Sequence, residues 1–289
     1  MVDRDGAIGV FDSGVGGLSV WREIVRLMPD EHILYLADQA RVPYGERARS
    51  EVERFTHAGV AWLLSQNAKA VVIACNTASA AALDSLRQRW SEVPIVGMEP
   101  AVKPASQHTR TGHVGVLATP GTLQADRFSN LVERFANGVH VHTVMGTGLV
   151  RMVEAHQLDG KEVEAQLRAI LAPVLEANID HLVLGCTHFP FLAPALHRVL
   201  GDGVQLVDPA PAVARQTQRV LKQAGLLRAC KEPGSWHFVT TGGLPRFQNL
   251  VTRLIADELT TERPVVFQSL ELPDARAGWT NGYNRSVSR

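Results

Sequence analysis

A chain of 289 residues with 45% hydrophobic content is long enough to bury a large core, and two domains of ordinary size fit its length. Its 29 basic and 29 acidic residues cancel, which argues against nucleic acid or an anionic membrane surface as a partner. The segment from Met1 to Gly6 lacks the features of a signal peptide, and no apolar run approaches the ~20 residues that cross a bilayer. We therefore expect a cytoplasmic protein that acts on a small molecule.

Short β-branched runs alternate with amphipathic stretches in the first part of the chain, as is typical of a parallel sheet with helices on both faces. The fold class is therefore predicted to be α/β. Strands are predicted over residues 8–11, 33–37, 70–74 and 94–97, and helices over residues 16–28, 49–66 and 78–90.

The same order of strands then returns, with predicted strands over residues 114–117, 139–144, 181–184 and 204–207. Ile8 corresponds to Val114 at an offset of 106 residues, and Cys75 corresponds to Cys186 at an offset of 111 residues. This pattern predicts two similar parallel-sheet α/β domains facing each other across a central cleft. Ligands of open α/β sheets bind outside the carboxyl ends of the strands, so the site is expected in that cleft.

The C-terminal part of the chain adds three predicted elements, a helix over 210–224, a strand over 236–240 and a helix from 245 to about 258. The tail from Asp274 to Arg289 mixes Gly, Asn, Ser and Arg with little apolar content, and we expect it to be disordered.

Two cysteines stand at equivalent points of the repeat. VVIACNTAS (residues 71–79) runs an apolar strand into Cys75, and HLVLGCTHFP (residues 181–190) runs another into Cys186. A single cysteine at the end of an apolar strand is more often a small core residue, but a matched pair favours a chemical role. Each thiol precedes a predicted helix N-terminus, which favours the thiolate.

A disulfide is disfavoured in the cytoplasm, a metal site lacks suitable ligand spacing, and Cys230 lies in a polar stretch without such a pattern.

The segment FDSGVGGLS (residues 11–19) allows two interpretations. Two of its glycines and the later Asp38 partly match a dinucleotide-binding fingerprint, but Ser19 occupies the third glycine position. The pair Asp12 and Ser13 suits an amino-acid ligand better, because Asp12 can face an ammonium group while turn N–H groups face a carboxylate. A pyridoxal-phosphate lysine is disfavoured, because only Lys103 closely follows a strand end.

Six segments in order along residues 8–241 carry a family resemblance: DSGVGG, VPYG, ACNTAS, EPAVKPA, ATPGTL and GCTHFP. With them the chain resembles the glutamate racemases of the aspartate/glutamate racemase superfamily. The resemblance implies that Cys75 and Cys186 transfer protons, supported by Asp12 on one side and by His188 and Glu154 on the other. It also implies a substrate-binding set without cofactor or metal, comprising Asp12, Ser13, Tyr44, Gly45, Asn76, Thr77, Thr119, Thr122, Thr187 and His188.

The resemblance further implies that residues 1–99 and about 210–273 form the first domain, and that residues 100–209 form the second. The implied function is cofactor-independent racemisation of L-glutamate and D-glutamate, which supplies D-glutamate for peptidoglycan synthesis. Two alternatives stay open: a racemase of aspartate or another small acid, and a non-catalytic two-domain ligand-binding protein. The sequence does not decide between a monomer and a homodimer.

Overall fold

In the computed structural model, the described residues are 3–230, 232–259 and 263–272, and the expected tail over 274–289 lies outside them. These residues contain ten β-strands. They are β1 (Ile8–Asp12), β2 (Ile33–Ala37), β3 (Ala70–Ile73), β4 (Ile95–Val96), β5 (His113–Ala118), β6 (His140–Met145), β7 (His181–Gly185), β8 (Gln205–Val207), β9 (Trp236–Thr240) and β10 (Val265–Ser269).

The strands form two sheets in which every pairing is parallel. Sheet A has the order β10-β9-β2-β1-β3-β4, and sheet B has the order β6-β5-β7-β8. The order of sheet B repeats the run β2-β1-β3-β4 of sheet A. The predicted α/β architecture with two similar parallel sheets is therefore confirmed.

Eleven α-helices connect the strands of the described residues. They are α1 (Leu18–Leu27), α2 (Arg49–Ser65), α3 (Asn76–Arg89), α4 (Val102–His108), α5 (Pro120–Leu123), α6 (Asp126–Phe135), α7 (Leu149–Glu154), α8 (Lys161–Glu176), α9 (Ala193–Leu200), α10 (Ala210–Gln223) and α11 (Leu244–Leu254). Short 3-10 segments cover Gln39–Arg41, Tyr44–Glu46 and Phe189–Leu192. Within the described ranges, no helix has both the length and the apolar character needed to span a membrane.

The last helix, α11, ends earlier than the sequence pattern predicts. It stops at Leu254 instead of about residue 258, because Ile255 is fully buried and leaves the helical conformation. Glu258 then turns toward helix α1, where it forms ion pairs of 2.9 Å with Arg22 and 2.8 Å with Arg26. These tertiary contacts outweigh the local tendency of the segment to continue as a helix.

The C-terminal segment completes sheet A at the edge formed by β2. Strand β9 pairs with β2 from Trp236 beside Ile33 to Thr240 beside Ala37. The Trp236 ring packs edge-on against Trp21 of α1, with 4.9 Å between the ring centroids. This pairing brings Thr240 and Thr241 next to the carboxyl end of β2, close to the edge of the cleft.

Candidate active site

The predicted site residues gather where the central strands of the two sheets end. Asp12 is the last residue of β1, Thr119 directly follows β5, and Cys186 directly follows β7. Cys75 follows β3 at the start of α3. The two strand ends meet directly, because the Thr187 hydroxyl donates a 3.0 Å hydrogen bond to the Asp12 carboxylate.

Cys75 is buried and held by two polar contacts. Its Sγ accepts a hydrogen bond from the Ala78 N–H at 3.5 Å and donates one to the Ser13 hydroxyl at 3.9 Å. Burial, and then the negative charge of Asp12, raise the pKa of Cys75 well above its ordinary value, while the Ala78 N–H acts in the opposite direction. The N–H group at the helix N-terminus acts in the expected direction, but it does not decide the protonation state of Cys75. Loss of hydration outweighs one N–H contact, and Cys75 is held as a thiol.

Asp12 is fully buried beside this thiol. Burial raises the pKa of Asp12 from 3.8 to about 6, although the charge of His188 and hydrogen bonds from Gly14 and Thr187 oppose that shift. Two turn N–H groups that were expected to face a substrate carboxylate are already occupied. The Gly14 N–H donates to Asp12 at 2.7 Å, and the Val15 N–H donates to Glu154 at 2.8 Å.

Cys186 lies in a different environment from Cys75. Its Sγ is 3.7 Å from Nδ1 of His188, and Nε2 of His188 is 2.8 Å from Oε1 of Glu154. No α-helix begins directly after Cys186, because a 3-10 segment, Phe189–Leu192, precedes α9. The neighbour of the Cys186 sulfur is thus the His188 imidazole, whereas the sequence predicted a helix N-terminus there.

The 2.8 Å contact between His188 and Glu154 is buried, and the pKa shifts of both groups favour an ion pair. Burial lowers the pKa of His188, but hydrogen bonds to Cys186 and Glu154 outweigh burial and raise it well above its ordinary value. Burial raises the pKa of Glu154, but hydrogen bonds from His188, the Val15 N–H and Gln39 bring it below its ordinary value. The Cys186 sulfur therefore lies beside an imidazole that a carboxylate holds in place, whereas the Cys75 sulfur lies near the Asp12 carboxylate.

Three threonine hydroxyls join the two halves of the site. Oγ1 of Thr77 lies 2.9 Å from Oγ1 of Thr119 and 3.2 Å from Oγ1 of Thr122, and the last two are 3.0 Å apart. The neighbouring Asn76 is buried, and neither polar atom of its side chain has a hydrogen-bond partner among the described residues. A buried amide without partners is costly, so Asn76 is a group that polar atoms of a ligand could satisfy.

Tyr44 and Gly45 lie on the loop that follows β2. The Tyr44 hydroxyl donates to Asp38 at 2.6 Å, and Asp38 also accepts hydrogen bonds from Arg41 and Thr241. A Cβ atom at Gly45 would come within 2.5 Å of the Thr119 side chain, so a glycine allows this loop to contact the opposite half.

Sequence reasoning missed the parts of Asp38 and Gln39 in this site, although both directly follow a buried strand. The sequence offers Asp38 only as part of a partial dinucleotide-binding fingerprint, whereas in the structure its carboxylate fixes the Tyr44 loop. Cys230 is exposed, in line with its place in a polar stretch. Across residues 3–230, 232–259 and 263–272, no cluster of three His, Cys, Asp or Glu side chains is arranged to hold a metal ion.

Comparison with known proteins shows that the chain is similar to amino-acid racemases. The family model described as Asp/Glu/Hydantoin racemase matches residues 8–217. A glutamate racemase of Roseiflexus sp. (strain RS-1) is 49% identical over 248 residues, which cover 86% of this chain and 91% of that protein. A crystal structure of the Bacillus anthracis glutamate racemase isoform RacE1 has a TM-score of 0.82 at 32% identity, covering 93% of this chain and 100% of that one. The Francisella tularensis glutamate racemase, in complex with D-glutamate, has a TM-score of 0.81 at 28% identity, covering 94% of this chain and 99% of the other.

Proposed function

The chain belongs to the Asp/Glu/hydantoin racemase family and is an amino-acid racemase, and on that premise we propose that it interconverts L-glutamate and D-glutamate with two cysteine thiols and no cofactor. One observation carries the proposal. Cys75 and Cys186 follow corresponding strands of the two sheets, β3 and β7, and their neighbours differ: the Asp12 carboxylate lies near Cys75 and the His188 imidazole contacts Cys186. A racemase needs a base on one face of the α-carbon and an acid on the other.

In the direction from L- to D-glutamate, the Cys186 thiolate removes the α-proton and becomes a thiol. The electron pair of the broken C–H bond stays on the α-carbon and its carboxylate. The Cys75 thiol then delivers its proton to the opposite face and becomes a thiolate, so the configuration is inverted. The reverse reaction exchanges these roles, and exchange of one proton with water restores the starting state.

Removal of the α-proton to form a carbanion is the difficult step, because an α-proton next to a carboxylate is only weakly acidic. Electrostatic stabilisation in a site that excludes water lowers this barrier. Asp12 is suited to face the substrate ammonium, and the Asn76 amide and the Thr77, Thr119 and Thr122 hydroxyls offer donors for its carboxylates. The unpartnered Asn76 amide and the burial of these groups support this assignment.

Substrate choice follows from the relatives and from the polarity of the site. The relative from Roseiflexus is a glutamate racemase, and the Francisella structure contains D-glutamate. Aspartate is one methylene shorter, and a site that pairs the distal carboxylate of glutamate would leave polar groups unsatisfied with it. We therefore propose that the substrate is glutamate and not aspartate or another small acid. We also propose that the chain is a racemase and not a non-catalytic ligand-binding protein.

Racemisation in deuterium oxide tests the proposal. Wild-type protein without added cofactor should convert L-glutamate to D-glutamate with deuterium at the α-carbon of the product, while recovered substrate stays largely protiated. Cys75→Ala and Cys186→Ala should each abolish racemisation, and Cys230→Ala serves as the matched control because Cys230 is exposed. Early deuterium in recovered substrate, with near-normal racemisation by either site variant, would show a single base. Equal kcat/KM values for aspartate would favour the alternative racemase.

Four further proposals concern the biological role, the location, the domain limits and the oligomeric state of the chain. D-glutamate made by the chain would supply peptidoglycan synthesis, and a reducing cytoplasm would keep Cys75 and Cys186 as free thiols. We also propose that residues 1–99 and about 210–273 form the first domain and that residues 100–209 form the second. Sedimentation equilibrium would decide whether the chain forms a homodimer.

A further inference from the structure

The Glu154 carboxylate is held mainly by atoms from the opposite half of the molecule. Glu154 ends helix α7, which lies between strands β6 and β7 of sheet B. Its Oε1 accepts the Val15 N–H at 2.8 Å, and its Oε2 accepts the Gln39 amide at 2.7 Å. Val15 follows β1 and Gln39 follows β2, both in sheet A. The ion pair between His188 and Glu154 is thus assembled across the boundary between the two halves.

Gln39 is itself oriented by the C-terminal segment. The Gly242 N–H donates to the Thr240 hydroxyl oxygen at 3.0 Å, and the Thr240 hydroxyl donates its own proton to Oε1 of Gln39 at 3.1 Å. With that oxygen engaged, the Nε2 group of Gln39 must be the one that faces Glu154, and an amide nitrogen can only donate. The polarity of this chain of hydrogen bonds is fixed by residues of sheet A.

A second contact from the half that contains sheet A holds the main chain of Glu154. The guanidinium of Arg246, in helix α11, donates a 3.0 Å hydrogen bond to the Glu154 carbonyl oxygen at the C-terminus of α7. A positive charge at a helix C-terminus is favourable. Side chain and backbone of Glu154 are therefore both positioned by elements that accompany sheet A.

We propose that Gln39 is a positioning residue, which holds the Glu154 carboxylate on the Cys186 proton-transfer side from the opposite half of the molecule. Gln39 and the Val15 N–H hold Glu154 against His188, and His188 faces the Cys186 sulfur. The inference deepens the proposed function and rests on it, because it assigns Gln39 to the half-reaction that Cys186 performs.

The first test is a pair of isotope effects on Gln39→Met, which removes the amide donor and keeps a side chain of similar length. Enantiomers have equal free energies, so kcat/KM must fall equally in both directions, by about ten-fold for one hydrogen bond to a carboxylate. A higher barrier for the Cys186 step makes removal of the α-proton from L-glutamate more rate-limiting. The isotope effect with α-deuterated L-glutamate should therefore rise, and the one with α-deuterated D-glutamate should fall.

Gln39→Glu gives a second signature, because it replaces the donor by an acceptor opposite Glu154. Its kcat/KM relative to wild type should improve as the pH is lowered, since a proton shared between the two carboxyl groups restores a donor. Gln248→Met is the matched control, because Gln248 lies on an exposed position of α11. It should leave both isotope effects unchanged.

Hydrogen exchange of the Val15 amide tests the same contact without any activity. Val15 N–H is protected by Glu154, so Gln39→Met should accelerate its exchange and Gln248→Met should not. Unchanged Val15 exchange, or isotope effects that move together, would overturn the assignment of Gln39. If wild-type protein fails to racemise glutamate, the proposed function falls, and the exchange measurement still decides whether Gln39 holds Glu154.

Discussion

The Thr187 hydroxyl donates a 3.0 Å hydrogen bond to Oδ2 of Asp12, which links the residue after Cys186 to the carboxylate beside Cys75. Asp12 has a pKa of about 6, raised by burial. Below this pH Asp12 gains a proton and loses the charge that we propose to face the substrate ammonium. We therefore predict that kcat/KM falls as the pH drops through about 6, because kcat/KM reports groups of the free enzyme.

The fall of kcat/KM at low pH is the acid limb of the pH profile, and two variants identify the group whose protonation causes it. Thr187→Val removes a hydrogen bond that lowers the pKa of Asp12, so it should move the limb to higher pH. Asp12→Asn should lower kcat/KM and lack the limb. A limb that stays at the same pH in both variants would assign it to another residue.

Asp12 also makes a prediction about stability, because its carboxylate is charged and fully buried at neutral pH. The folded-state pKa lies above the ordinary value, so the contribution of Asp12 is favourable at low pH and is lost as the pH rises through about 6. A shift of about two pKa units corresponds to about 3 kcal/mol. Relative to wild type, Asp12→Asn should therefore gain up to about 3 kcal/mol in unfolding free energy between pH 4 and pH 7.

Urea unfolding at several pH values measures this difference, with Asp202→Asn as a control at an exposed carboxylate. Groups far from Asp12 titrate equally in wild type and variant, so their contributions cancel in the difference. A difference between Asp12→Asn and wild type that does not change with pH would mean that Asp12 has the same proton affinity in the folded and unfolded states.

The sequence was sufficient to predict the sheets and the positions of both cysteines, because those depend on local patterns. Strand β3 is buried along its whole length and reads as a continuous apolar run, so Cys75 could be placed at its end. The same holds for β7 and Cys186. The repeat in strand order followed from the matching spacing of these runs.

The protonation state of Cys75 could not be predicted in this way. A helix N-terminus is visible in the sequence, but the burial that raises the pKa of Cys75 depends on how the two halves pack. The partners of Glu154 are equally hidden, because Gln39 precedes it by 115 residues and Arg246 follows it by 92. No local pattern connects groups so far apart in the chain.

A buried ion pair at the opposite end of β3 gives a prediction that is independent of catalysis. Nζ of Lys69 is 2.5 Å from Oε2 of Glu31 and donates to the Arg4 carbonyl at 2.8 Å, and the Lys69 side chain is fully buried. Lys69→Met would leave the Glu31 charge buried without this partner. We expect it to reduce the unfolding free energy by about 3–5 kcal/mol.

Chemical denaturation measures this loss, and the double variant Lys69→Met with Glu31→Leu should recover part of it, because it removes the unpaired charge. Arg168→Met is the control for an exposed pair, since Arg168 lies 3.9 Å from Glu164 and its side chain is 58% exposed. That variant should change stability by less than about 1 kcal/mol. Equal losses of unfolding free energy from Lys69→Met and Arg168→Met would contradict the claim that breaking the buried pair costs more than breaking the exposed one.

Gly16 gives the most direct test of the position of His188. A Cβ atom at Gly16 would lie 2.2 Å from Nδ1 of His188 and 2.6 Å from the Thr187 hydroxyl oxygen, closer than real contacts allow. His188 is buried between Cys186 and Glu154, so the ring can only move by leaving one of them.

Gly16→Ala should therefore lower kcat by about 100-fold or more, the usual contribution of a positioned proton-transfer group. Gly203→Ala is the matched control, because a Cβ atom there meets no atom within 4 Å. It should leave kcat unchanged. If Gly16→Ala folds and keeps the wild-type kcat, contact of His188 with the Cys186 sulfur is not needed for turnover. If kcat falls while the thermal unfolding temperature is kept, the loss arises from local displacement of His188 and Thr187, since a general loss of structure would lower both.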